Sequence, residues 1–133
     1  MTGKKILIID DDPDLLLGLT ARLKANDYGV ICALDAISAI AVARKEAPDL
    51  VILDLGLPAG DGFLVLERMK GLPDLVATPV IVLSARDPDG NEKRALDAGA
   101  VAFFQKPPDN HEFLTAIRQA LGESVALSTF LKT

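Results

Sequence analysis

The chain has 133 residues, of which 50% are hydrophobic and 25% charged, the size and balance of one globular domain with its own core. Its formal net charge of −5 argues against a nucleic-acid-binding surface, which carries a basic footprint. Cys32 is the single cysteine, so no intrachain disulfide can form. No apolar run reaches the length of a membrane span, and the N-terminus lacks a small-residue cleavage site, so the cytoplasm is the expected location, with no membrane partner.

Short apolar runs at 5–9, 30–33, 50–53, 80–83 and 101–104 predict five strands. Segments with helical spacing separate them. The first opens on Asp12 as cap and Pro13 at the first helical position, with Leu16, Leu19 and Leu23 on one face. The second carries Ile37, Ile40, Ala41 and Arg44 at helical spacing, and the third Phe63, Leu66 and Met69. The fourth is expected over 90–98, closed by Gly99 as the glycine after the cap. The fifth opens at Asp109 with Glu112 at capping-box spacing, and its apolar face is Phe113, Ala116, Ile117, Ala120 and Leu121. Gly122 closes it, and 123–133 has no periodicity and is expected to be an extension or linker stub beyond a domain at 1–122. Strand–helix alternation of this kind predicts an α/β fold, an open doubly wound parallel sheet with five helices. Strands one, three and four are apolar on both faces, as covered parallel strands are.

Polar residues interrupt the apolar runs at one end only. Asp10 and Asp11 follow the first strand, Asp54 the third, Ser84 the fourth and Lys106 the fifth. In an open α/β sheet, ligands bind beyond the carboxyl ends of the strands, so these five can converge on one crevice. Asp12 is accounted for as a helix cap. Asp10, Asp11 and Asp54 together would repel one another unless a cation intervened. Mg²⁺ suits a few carboxylates with retained waters and a phosphoryl oxygen. A carboxylate nucleophile, metal-binding acids, a hydroxyl and an ammonium are the parts that phosphoryl transfer to Asp requires. A structural ion-pair cluster is the plain alternative.

These residues resemble the receiver domains of two-component response regulators. The resemblance covers nearly all of the chain, through the acidic pair before Pro13, DLVILDLGLPAGDG at 49–62, PVIVLSAR at 79–86 and ALDAGAVAFFQKP at 95–107. It implies a flavodoxin-like sheet of order 2-1-3-4-5, phosphorelay signalling, and Asp54 as phosphoacceptor for a sensor histidine kinase or histidine phosphotransfer protein. It implies Asp11 as direct Mg²⁺ ligand, Asp10 acting through water or by positioning, and the Gly56 carbonyl as the third protein ligand. Ser84 and Lys106 would contact the phosphoryl group, Phe103 would be the aromatic that turns inward with Ser84, and Pro58, Gly60 and Gly62 would shape the loop. Phe103 stands where Tyr is frequent, Pro108 follows Lys106-Pro107 in place of the usual Phe, and Gly56 leaves the acceptor uncovered. Two rival readings exist. An aspartyl-nucleophile phosphatase wants an acid where Gly56 stands, and a pseudo-receiver that only binds partners usually lacks one of the acids or the lysine. On this reading the chain is a self-phosphorylating signalling domain and not an enzyme acting on other substrates.

Overall fold

The computed structural model describes residues 3–123. The elements are β1 (Lys5–Ile9), α1 (Pro13–Ala25), β2 (Gly29–Ala33), α2 (Ala36–Glu46), β3 (Leu50–Leu53), α3 (Gly62–Gly71), β4 (Val80–Ser84), α4 (Pro88–Asp97), β5 (Ala102–Gln105) and α5 (Asn110–Ala120). All strand pairs are parallel and the sheet order is β2-β1-β3-β4-β5, as the resemblance implies. The chain leaves β1 towards β2, then returns past β1 to build β3. Strand order therefore reverses between β1 and β3, which opens a crevice at their carboxyl ends.

Side-chain alternation divides the interior into two layers. Leu7, Ile9, Val51, Leu53, Val80 and Val82 pack with α2, α3 and Ala95 of α4 on one face of the sheet. Ile6, Ile8, Leu50, Ile52, Ile81 and Leu83 pack with α1 and α5 on the other. Every residue of β1 from Ile6 onward, and all of β3 and β4, is buried, because both faces are covered. On the second face Phe104 meets Phe113 edge to face at 5.2 Å between centroids. Among the described residues, no helix is long and apolar enough to cross a membrane.

The helix signals hold with two corrections. Asp12 accepts from the N–H groups of Asp14 and Leu15, and Asp109 from that of Glu112. Gly99 takes φ 109° just after α4, as expected of its position. The face of α2 is not the expected one. Ile37 is 75% exposed, and Ala36, Ala39, Ile40 and Ala43 point inward, so small side chains let the helix lie close to the sheet. The α4 segment begins earlier, at Pro88, because Asp87 caps it through the N–H of Asp89. Asp89 and Gly90 are themselves non-helical, so the regular turns start only after Gly90.

Strand β5 lies one residue later than the apolar run suggests, and β2 and β4 are each one residue longer than expected. Val101 is 53% exposed. The expected extension at 123–133 lies, apart from Glu123, outside the described residues. Glu123 itself is tied to the domain, since the Tyr28 hydroxyl donates to its Oε1 at 2.5 Å. Burial, then this carboxylate, push the Tyr28 hydroxyl up to about 12.

Gly62, first in α3, donates its N–H to the Leu55 carbonyl at 2.9 Å. A Cβ there would lie 2.6 Å from Leu55 Cα and closer still to the carbonyl oxygen of Asp54. Gly62→Ala is expected to cost about 1–3 kcal/mol of stability, measured by urea unfolding, because backbone rather than a mobile side chain has to give way. An unchanged urea midpoint would show that the loop after Asp54 yields freely.

Candidate functional site

Backbone ladders carry the site residues one step past the strand ends. The Asp10 N–H donates to Ala33 O at 3.1 Å, that of Asp54 to Ile9 O at 2.9 Å, and that of Lys106 to Ser84 O at 2.8 Å. Each residue's place thus follows from strand pairing and not from a loose loop. Continued alternation puts Asp10 and Asp54 on the α1/α5 side, in step with Ile8 and Ile52. Ser84 keeps step with Val82 on the opposite side, where Phe103 pairs with Val82 and packs against the α2–α4 layer.

Four of the five residues singled out by sequence lie together, and Ser84 stands at the neighbouring strand end, where its carbonyl accepts the Lys106 N–H. Lys106 Nζ lies 2.7 Å from Asp10 Oδ2 and 3.6 Å from Asp54 Oδ2. The other oxygen of Asp10 accepts the Asp12 N–H at 2.9 Å, so both its oxygens are engaged. Asp54 Oδ1 accepts the Gly56 N–H at 3.3 Å. Asp10, Asp11 and Asp54 each offer one carboxylate oxygen, all within 4.8 Å of one another, with Asp11 the exposed member. Asp10, Asp54 and Ser84 are the buried polar residues of the described chain. Ser84 Oγ accepts the Arg86 N–H at 3.2 Å. The Lys106–Pro107 peptide is cis, and a cleft of about 610 Å³ beside it runs along Asp14, Leu15 and Gly18 of α1.

Burial raises the Asp10 carboxyl, and the hydrogen bond from Lys106 offsets only part of that. Burial pulls Lys106 down, but its bond to Asp10 and the charges of Asp54, Asp10 and Asp12 outweigh it, so the ammonium is held above its usual range. An acid raised in the folded state loses stability as pH climbs from its ordinary value of 3.8 through the raised one. Asp10→Asn should therefore gain on the wild type across that window and keep a constant difference above it. Urea midpoints of both proteins against pH check this. A pH-independent difference would contradict it.

The cation-accepting character of the cluster follows from its donors. They are hard oxygens, and Asp10 is already committed to Lys106 and Asp12, which leaves Asp11 and Asp54 the freer carboxylates. An octahedral Mg²⁺ with ligands at about 2.1 Å spans about 4.2 Å between opposite oxygens, so the set fits with small side-chain adjustment.

The sequence profile of the response regulator receiver domain matches residues 6–118. The chain belongs to this family. The receiver domain is therefore a two-component signalling module and not a conventional enzyme. It is 41% identical over 121 residues to the transcriptional regulatory protein KdpE of Mycobacterium tuberculosis, covering 91% of this chain and 52% of that one. The receiver domain thus spans about half the length of that relative. Among solved structures, a putative response regulator from Chloroflexus aurantiacus superposes with a TM-score of 0.86 at 26% identity, covering 91% of this chain and 99% of the other. The receiver domain of the sensor histidine kinase PA1611 from Pseudomonas aeruginosa, with magnesium coordinated in its active-site cleft, gives 0.82 at 26% identity, with coverage of 91% and 99%.

Sequence reasoning missed one group near the site. Arg86, Arg94, Asp61 and Phe63 meet beside the β4–α4 connection, with the Arg94 guanidinium 3.8 Å from the centroid of the Phe63 ring. Their signals were ordinary ones, a cap, a core aromatic and two surface cations.

Proposed function

We propose that this receiver domain takes a phosphoryl group onto Asp54 from a phosphohistidine of a sensor histidine kinase or histidine phosphotransfer protein. The observation that carries this reading is the meeting of Asp54 with Lys106, Asp10 and Asp11 at the strand-order reversal. An Asp54 oxygen attacks phosphorus in line. The P–O bond forms as the P–N bond breaks, and the departing imidazole keeps the electron pair. Lys106, 3.6 Å from Asp54, balances charge on the transferred oxygens. Asp11, Asp54 and the Gly56 carbonyl would hold Mg²⁺, which supplies further neutralisation there, while Asp10 fixes Lys106 and acts through water. Ser84 then leaves its bond to the Arg86 N–H and donates to the phosphoryl group. Phe103, on the same side of the sheet, follows into the space, and the face of α4, β5 and α5 changes for the output partner.

Incubation with acetyl phosphate and Mg²⁺ tests this, with mass mapping of an acid-labile adduct to Asp54. No uptake with an intact fold would favour the partner-binding pseudo-receiver. Gly56 presents no side chain beside the acceptor, so water reaches the acyl phosphate. Gly56→Asn is expected to slow hydrolysis roughly threefold to tenfold, a change of about 0.7–1.4 kcal/mol in barrier, followed as loss of the adduct with time. An unchanged lifetime would remove shielding at this position as a control.

A further inference from the structure

We infer that Asp61, Phe63, Arg86 and Arg94 form a latch that holds Ser84 in its resting place and so sets how readily the receiver domain responds to phosphorylation. This rests on the proposed movement of Ser84 towards the phosphoryl group. Arg86 is where the latch meets the switch. Its N–H donates to Ser84 Oγ at 3.2 Å, while its guanidinium reaches Asp61 Oδ2 at 3.4 Å and lies 5.9 Å from the centroid of the Phe63 ring. The bond from the Arg86 N–H leaves the Ser84 hydroxyl proton free to donate, so it is displacement of Oγ towards a phosphoryl group that pulls on the segment carrying Arg86.

The other half of the latch is anchored. Asp61 caps α3 by accepting the Phe63 N–H at 2.8 Å, and Phe63 is 1% exposed. Neither moves cheaply. The part opposite them is held thinly. Ala95 is the one buried residue of α4, and the helix opens through non-helical Asp89 and Gly90. The Arg94 guanidinium, 3.8 Å from the centroid of the Phe63 ring, adds a cation–π contact to what fastens α4 to α3. Two cations from the β4–α4 connection and α4 thus grip one aromatic and one carboxylate at the start of α3. They favour the resting arrangement over the one in which Ser84 engages the phosphoryl group. These four are positioning residues, acting on the reaction through Ser84.

Beryllofluoride, a stable mimic of the acyl phosphate, tests the latch. Its apparent affinity in saturating Mg²⁺ is measured for the whole chain from amide chemical shifts of Ser84 to Arg86. Arg94→Ala and Asp61→Asn are expected to bind it about threefold to fivefold more tightly than wild type, since the resting state loses a contact that the engaged state lacks. Asn still caps α3, so the second variant keeps the fold if the first weakens it. Arg94→Lys, which retains a cation over the ring, should stay close to wild type. A purely structural role would lower stability without tightening the mimic. Unchanged or weaker binding by both Arg94→Ala and Asp61→Asn overturns the latch. Failure of the wild type to bind the mimic at all overturns the phosphoryl-acceptor reading itself, and the latch with it.

Discussion

Asp54→Asn is expected to lower phosphoryl uptake from acetyl phosphate at least about a hundredfold, more than 2.7 kcal/mol in barrier. The substitution keeps shape and still accepts the Gly56 N–H, so the loop after β3 is preserved. It removes the anionic oxygen that attacks phosphorus. The same change takes one charge out of three crowded carboxylates, and the charge of Asp54 is among the influences that raise Asp10. The variant should therefore unfold at a higher urea concentration than wild type without metal. Intact-mass measurement after incubation reads the first effect and urea unfolding the second. Uptake at the wild-type rate would move the acceptor to Asp10 or Asp11.

Lys106→Met should have the next largest effect, on stability. Asp10 has a side chain only 3% exposed, and Lys106 Nζ at 2.7 Å is its charged partner. Methionine matches the aliphatic stem but leaves a buried carboxylate with the Asp12 N–H alone. Breaking such a pair from one side costs about 3 kcal/mol, a large part of the roughly 5–15 kcal/mol that holds a domain together. Millimolar Mg²⁺ should recover part of the loss by binding the folded state alone. Urea unfolding with and without Mg²⁺ measures both. A loss below about 0.5 kcal/mol would mean that water screens the pair as it does on a surface.

What the sequence made legible depended on contrast. Asp10, Asp54 and Lys106 stood out because each breaks an apolar strand at the same end, and the ladders beyond β1, β3 and β5 bring them together. Boundaries failed where contrast misled. Val101 is apolar yet half exposed, while Gln105 is polar yet paired with Ser84 inside β5. On α2, Ile37 drew attention that belonged to Ala36, Ala39 and Ala43, since alanines look neutral until a close helix–sheet approach gives them a role. Gly62 read as one more loop glycine, because the Asp54 carbonyl that excludes a side chain is eight residues away in sequence. The Arg86 group was illegible for a similar reason, as its members sit up to 33 residues apart (Asp61 to Arg94), with Phe63 in α3, Arg94 in α4 and the other two in connections.

The two sides of the sheet are unequal in what they carry. Asp10 and Asp54 keep step with the α1/α5 layer, whereas Ser84 and Phe103 keep step with the layer beneath α4. On the proposed mechanism, the event begins among residues in step with α1 and α5 and is relayed through Ser84 and Phe103, so β4 and β5 carry it across the sheet to the α4–β5–α5 face.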